Sequence, residues 1–404
     1  MTVEIRPITD DELPQFGRRL ATAFGGETSD ARIESNRTIT ELDRTLSAWD
    51  GGELVGTAAA FSFDMTVPGG SAIPAAGVTM VSVTPTHRRR GILSEFMRRQ
   101  LDDVAERGEP VALLTASEGS IYGRFGYGIG TFWAAVSIPI EGTTLVRPST
   151  AGGRVRNLAA DDWAKVVQPI YERLLPRYVG EVRRPDGFWT EWAKDHPWQR
   201  EGRTPLQVVV HEDPAGEPDG FVVWRTKGGW EHSLPRFEVH AEMLYGADDE
   251  VETALWQHLM SIDLARLVVA QRPTDEQLRW RLDEHRKLKV SHIGDHLWVR
   301  IVDVGAAFSA RSYDVDDAVV VGLRDPFRPQ NDGTWRIAAD GCGRTDAAAE
   351  LELDVADLGS LYLGGVTASA LARSGRVVEK VPGALRRADR LLSTPTQPWC
   401  ATHF

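Results

Sequence analysis

The residues with the most chemical potential stand together in Met80-Val81-Ser82-Val83-Thr84-Pro85-Thr86-His87-Arg88-Arg89-Arg90-Gly91-Ile92-Leu93-Ser94. A β-branched run ends, three consecutive arginines follow, a glycine admits close backbone approach, and a helical pattern begins. A helix start presents unpaired N–H groups and a partial positive charge, which together hold phosphate oxygens. Arg88, Arg89 and Arg90 add fork-shaped cationic donors in a chain that is otherwise acidic. This spacing predicts a polyanion site at the turn. His87 reads as a turn histidine beside these cations rather than as a base. A second segment, Glu118-Gly119-Ser120-Ile121-Tyr122-Gly123-Arg124-Phe125-Gly126-Tyr127-Gly128, sets two tyrosines among glycines that mark tight turns before a hairpin. On the residues alone, both tyrosines read as packing. Trp399 and Phe404 near the chain end gain nothing from water, which argues against the fraying usual at a terminus. His292 and His296 have no third ligand of suitable type nearby, so no metal site is expected. The sequence has no nucleophile elbow, phosphate loop or dinucleotide fingerprint.

These groups need a scaffold, and the hydrophobic periodicity predicts one. Residues 3–8 read as a strand, and Asp10-Asp11-Glu12-Leu13 opens a helix toward Phe24, its acids at the positive end of the dipole. Two strands, 43–50 and 53–63, flank the turn Asp50-Gly51-Gly52. A strand over about 75–83 leads into the arginine turn. The segment 91–106 then carries Ile92, Leu93, Phe96, Met97, Leu101 and Val104 at helical spacing. The nearly all-apolar 110–117 reads as a central strand. A second region, beginning near Arg147-Pro148-Ser149-Thr150, repeats this style. Its expected elements are a helix opening in 155–163 and running to about 177, strands at 206–211, 220–226 and 236–243, a helix at 249–262 and a strand at 266–270. It has no basic–glycine turn. A third region alternates strands (318–322, 335–339, 349–353) with helices (356–363, 367–373, 383–391). The expected domains are therefore 1–148, 149–294 and 295–404.

Composition narrows the function. A chain of 404 residues suggests two to three domains. The 46 basic and 58 acidic residues give a net charge of −12, which argues against nucleic acid as the main partner. No run approaches the roughly 20 apolar residues of a membrane span, and the first residues do not resemble a secretory signal. Two distant cysteines, Cys342 and Cys400, form neither a disulfide framework nor a zinc site, so a reducing cytoplasm is expected. Cys400 stands one position too early for a prenylation box.

The pattern V-x-V-x-P-x-x-R-x-x-G-x followed by a helix resembles the acetyl-CoA signature of the GNAT superfamily of N-acetyltransferases. The fuller VSVTPTHRRRGIL, with ASEGSIYGRFGYG about thirty residues on, LGSLYLGG at 358–365 and the terminal Phe404, is similar to the enhanced intracellular survival (Eis) acetyltransferases of actinobacteria over most of the chain. One position departs from the wider superfamily, since Leu93 stands where a small residue is usual. The resemblance implies two GNAT-like mixed-sheet domains, the second without its own cofactor turn and helping to wall the substrate pocket. A sterol-carrier-like α+β domain would follow. It further implies an acetyl-CoA-dependent N-acetyltransferase without a metal. Val81, Ser82 and Val83 would offer backbone to the pantetheine. Arg88, Arg89, Arg90, Gly91, Ile92, Leu93 and Ser94 would take the pyrophosphate, with Ser117 and Glu118 beside the thioester. Tyr122 matches the family's general acid toward the departing thiolate, with Tyr127 as a packing residue.

By the same resemblance, the α-carboxylate of Phe404 would be the general base. Glu118 stands second for that role, because it would lie on the cofactor side. A carboxylate near ~3.5 facing an ammonium near ~10.4 is mismatched by about 7 units, or ~9.5 kcal/mol. Turnover of about 10 per second allows a barrier of ~16 kcal/mol, so burial beside aromatic rings or a relaying water is expected to ease that transfer. Phe24 matches an aromatic wall of the amine pocket. Where the family can carry acids around the amine, this chain has Gly26 with Glu27 next, and His403 before the end. The expected acceptor is a small-molecule amine of aminoglycoside-like or other polyamine type, and the expected assembly is a homo-oligomer, a hexamer by resemblance. A non-catalytic acyl-CoA or cationic-drug binder and a protein lysine acetyltransferase remain the alternatives.

Overall fold

A computed structural model of the chain describes residues 3–159 and 162–404. The residues form two compact units, one running up to Thr131 and resuming with His296–Phe404, the other comprising Phe132–Asp295.

The first unit is built on a sheet whose strand order is Glu4–Arg6, Thr45–Asp50, Glu53–Thr66, Ala72–Val83, Val111–Thr115, Leu297–Ile301 and Gly128–Ile129. Neighbours run antiparallel except Ala72–Val83 and Val111–Thr115, which are parallel. A parallel pair needs a crossover, and the helix Ile92–Glu106 supplies it. Its buried face carries Ile92, Phe96, Met97, Leu101 and Val104, as the spacing predicts, while Leu93 is half-buried. The parallel pairing is short. It covers Ala75↔Val111, Ala76↔Ala112 and Gly77↔Leu113 and no more, so the two strands part beyond Gly77. Met80 sits on the outgoing stretch with φ 54°, beside a register shift against Glu53–Thr66. Such a bulge bends a strand locally.

The same unit holds a five-stranded sheet in the order Gly341–Arg344, Gly333–Ala338, Ala318–Arg324, Leu351–Asp354 and Val377–Glu379, with helices Val304–Ala310, Val355–Tyr362, Ala368–Arg373 and Ala384–Leu392. The helix Val355–Tyr362 is buried along its whole length. It lies so close to the first sheet that a Cβ on Gly359 would meet the carbonyl oxygen of Val299 at 2.3 Å, and one on Gly128 would meet that of Ala356 at 1.8 Å. Two glycines therefore seat this part of the chain on the Leu297–Ile301 strand and fix where its end emerges. After Leu392 the proline-containing tail forms no helix, yet Trp399, Cys400 and Thr402 are buried.

The second unit carries a seven-stranded sheet in the order Lys289–Asp295, Phe132–Pro139, Ala265–Arg272, Phe237–Gly246, Pro218–Lys227, Gln207–Glu212 and Arg154–Asn157. Phe237–Gly246 and Ala265–Arg272 are parallel, joined by the helix Asp249–Met260. Residues 154–157 pair with the Gln207–Glu212 strand instead of opening a helix. The helix begins at Trp163, and the part of the expected start at 160–161 lies outside the described residues. No helix among the described residues is long and apolar enough to cross a membrane.

Candidate active site

All the elements of the candidate site belong to the first unit. A groove of about 800 Å³ runs over the arginine turn. Val81, Ser82 and Val83 line one side of it, at the end of the strand that has left its parallel neighbour. Arg88, Arg89, Gly91, Ile92, Leu93 and Ser94 line the turn and the first turn of the helix. Gly91 is the N-cap residue, at φ 83°, a left-handed conformation that glycine adopts without strain. It has no side chain to accept the first N–H groups of the helix, so those donors stay open for a ligand. Arg89, at φ 62°, shares the left-handed twist of the turn.

Arg90 stands apart from its two neighbours. Its guanidinium reaches the Asp50 carboxylate at 3.1 Å, and His87 Nε2 meets the same oxygen at 3.1 Å. His87 Nδ1 lies 2.8 Å from the Thr86 hydroxyl. The hydrogen bond from His87, and then that from Arg90, hold the Asp50 carboxyl below its ordinary range. Thus Arg90, which does not line the groove, and His87, which does, brace the turn through the Asp50-Gly51-Gly52 hairpin. Arg19 and Arg124 line the groove as well; the sequence reading did not single them out. Arg124 belongs to the glycine–tyrosine segment 118–128, and Arg19 has no signal beyond a place on the helix Leu13–Ala23.

The groove adjoins a smaller cavity of about 240 Å³ at the parting of the strands. Phe24, Val81, Ser117 and Tyr122 line both. Val78, Thr79, Leu114, Thr115 and Phe404 complete most of the small cavity. Tyr122 is buried, and burial, with a further contribution from the Glu118 charge, raises its hydroxyl above the usual tyrosine range. Tyr127 packs edge-on against it with ring centroids 6.0 Å apart, and its own buried hydroxyl has no hydrogen-bond partner among the described residues. Glu118 and Ser117 follow the Val111–Thr115 strand and line the groove.

The chain end enters this cavity. The Thr115 hydroxyl donates to the terminal Phe404 oxygen at 3.2 Å. The Phe404 ring packs edge-on against Phe63, centroids 5.0 Å apart. Gly77 makes room for both rings, since a Cβ there would lie 2.3 Å from Phe63 and 3.2 Å from Phe404. Two residues assigned to the amine side are not among those that line either cavity. Glu27 is exposed, and exposed His403 packs edge-on against His296, centroids 4.5 Å apart. Among the described residues, no group of three metal-ligating side chains occurs. The arrangement can hold a phosphate-bearing thioester along the groove, with a buried hydroxyl and a carboxylate on the small cavity at its inner end.

Known proteins share this domain order and fold. Residues 4–130 match an acetyltransferase (GNAT) domain, residues 180–301 a second acetyltransferase (GNAT) domain, and residues 304–401 a sterol carrier protein domain. The order of two mixed-sheet acetyltransferase domains and a sterol-carrier-type domain is thus the fold class read from the sequence. The chain is 44% identical over 412 residues to an N-acetyltransferase of Streptomyces avermitilis, with all of both chains covered. It is 32% identical over 418 residues to the N-acetyltransferase Eis of Mycobacterium tuberculosis, again over all of both. The crystal structure of Eis1 from Mycobacterium abscessus superimposes with a TM-score of 0.89 at 37% identity, covering 99% of this chain and 100% of that one.

Proposed function

Because the chain belongs to the Eis-like N-acetyltransferases of the GNAT superfamily, a family whose acyl donor is acetyl-CoA, we propose that its first unit moves acetyl directly to a small-molecule amine of aminoglycoside-like or other polyamine type. In this reading Phe404 supplies the base and Tyr122 the acid. The observation that carries it is the convergence of Tyr122 and the terminal residue on one cavity of about 240 Å³ next to the arginine-lined groove.

The roles follow from the chemistry of each group. Backbone of Val81 to Val83 pairs with the pantetheine amides, as a peptide adds to a free strand edge. Arg88 and Arg89, with the open N–H groups after Gly91, take the pyrophosphate. Arg90 acts through Asp50 by fixing the turn. The Phe404 carboxylate accepts a proton from the incoming ammonium, directly or through a water, and the freed amine attacks the thioester carbonyl. Tyr122, kept protonated by its raised pKa, gives its proton to the departing thiolate. With tyrosine at or above about 10 against a thiol near 8.5, that transfer is uphill by at least ~1.5 units, or ~2 kcal/mol, a modest part of an ordinary barrier. Phe24 walls the amine side, while Glu27 and His403, which line neither cavity, take no part in the transfer itself. We place this work in a reducing cytoplasm, where Cys342 and Cys400 would remain thiols.

We read the working form as a homo-oligomer, a hexamer by family likeness. The second unit supports this with exposed Trp230, Trp280 and Ile293, and with the sheet-edge strand Lys289–Asp295, exposed along nearly its whole length. An unpaired edge with apolar side chains invites covering. Light scattering of the full chain should give a multiple of the 44.6 kDa protomer.

The test of activity is thiol release from acetyl-CoA against a panel of amines. Turnover with an amine, lost in a chain shortened by Phe404 and in Tyr122→Phe, supports the proposal. Tight acetyl-CoA binding without thiol release for any amine favours a binding protein instead. Acetylated lysine peptides in place of acetylated small amines would indicate a protein acetyltransferase.

A further inference from the structure

The residues that hold the chain end are as specific as the end itself. Thr115 is the last residue of the Val111–Thr115 strand, and its hydroxyl donates to the terminal oxygen of Phe404 at 3.2 Å. His296 stands just before the Leu297–Ile301 strand, and its Nε2 lies 3.2 Å from the carbonyl oxygen of Thr402. A carbonyl can only accept, so Nε2 carries the hydrogen and the histidine is the donor. His296 is itself fixed by its backbone N–H to Thr131 O at 3.0 Å and is 5% exposed.

These two donors are neighbours by construction. In the antiparallel register Leu297 stands opposite Thr115, so His296 precedes the residue paired with Thr115. Adjacent strands lie about 4.8 Å apart, while Thr402 and Phe404 are two residues apart, up to about 7 Å when extended. The extended tail meets this end of the strand pair twice, with the Thr402 carbonyl on His296 and the Phe404 oxygen on Thr115. The Phe404 ring, lodged against Phe63 over Gly77, supplies a third point. A terminus tied only by its ring could still rotate its carboxylate about the last bonds, whereas these two hydrogen bonds remove that freedom.

We propose that Thr115 and His296 are positioning residues for the acetyl transfer, forming a two-donor latch that aims the Phe404 carboxylate at the amine. The proposal rests on the reading of that carboxylate as the base. Thr115 acts on the carboxylate itself, and His296 acts through Thr402. Neither sets the grip on the donor, because neither lines the arginine groove. Residues that place a reacting group to within an ångström can each control about a hundredfold in rate.

The experiment uses the full-length protein, acetyl-CoA and one accepted amine, and reads kcat and KM for both substrates. Thr115→Val and His296→Leu should each lower kcat by about tenfold to a hundredfold, with KM for acetyl-CoA within about twofold of the parent. Thr115→Ser and His296→Gln, which keep a donor, should recover most of the loss. In a chain lacking Phe404, neither Thr115→Val nor His296→Leu should lower kcat further. Three results overturn the latch while leaving the carboxylate as base: parental kcat in both single variants when loss of Phe404 is severe, failure of the donor-keeping variants to recover, or a further fall without Phe404. If removing Phe404 itself leaves kcat at the parental value, the base assignment fails and the latch falls with it.

Discussion

The two units contain the same joint, a strand, a helix and a second strand parallel to the first, and they treat it in opposite ways. In the first unit the helix starts at Gly91, which has no side chain to cap it, behind three arginines. In the second unit the equivalent helix starts at Asp248. Its carboxylate accepts from the N–H groups of Glu250 and Val251, and Asp249, Glu250 and Glu252 crowd the first turn. An anion finds open donors and cations in one case, and satisfied donors and negative charge in the other.

The strands differ likewise. Where Ala72–Val83 and Val111–Thr115 part, the first unit has a cavity. In the second unit the inner end of the joint is filled by Arg272, which donates to Leu244 O at 2.8 Å and pairs with Glu252 and Glu276. Tyr178 closes the remainder by bonding to Gly246 and Glu252. On the proposed reading, this scaffold does not by itself bind a cofactor. A handful of residues at the joint decide whether it is a site or a plug.

The comparison can be broken in four ways, taken here from the largest effect to the smallest. Reversing the charge at the first joint, Arg88→Glu with Arg89→Glu, would remove the two charge-assisted contacts proposed to the pyrophosphate, about 1.5–3 kcal/mol each, so acetyl-CoA affinity should fall about a thousandfold by calorimetry. Arg272→Met at the second joint should leave that affinity within about twofold, yet destabilise the protein by about 3–5 kcal/mol in denaturant titration, because it strands buried carboxylates of Glu252 and Glu276. If Arg272→Met weakened acetyl-CoA as much as the arginine pair does, the division of labour would be wrong. Asp248→Ala should cost about 1 kcal/mol of stability as a lost helix cap, with unchanged turnover. Arg90→Ala should weaken acetyl-CoA by only a few-fold, since its partner is Asp50 and the effect passes through the turn. A loss as large as that from the arginine pair would place Arg90 on the phosphates instead.

Much of the first joint was legible in the chain. The apolar spacing of 91–106, the β-branched run before it and the nearly all-apolar 110–117 after it mark a strand–helix–strand unit, and three arginines before a glycine suggest a polyanion there. What spacing could not reveal is direction. Arg90 looks equivalent to Arg88 and Arg89 until the hairpin at Asp50 folds under it. The segment 154–157 in the second unit misleads for a related reason. Residues 154–157 have a helix-compatible sequence nearby, but a sheet edge at Val209–Glu212 was available, and pairing there overrides local preference. Thr115 carried no signal, and His296 showed only as half of a metal pair without a third ligand, because the role proposed for them depends on a register between segments about 180 positions apart. The plug at Arg272 was hidden in the same way, since it depends on burial and on a pairing with Glu252 that no local pattern announces.

The central claim is that a charge on the last atom of the chain does the work of the base. Semisynthesis can replace the terminal carboxylate of Phe404 by a carboxamide, keeping the ring against Phe63 and a carbonyl for Thr115 while removing only the proton acceptor. The account predicts that kcat falls at least about a hundredfold, with acetyl-CoA affinity within about twofold of the parent. A carboxamide protein that acetylates the amine at the parental rate would contradict it.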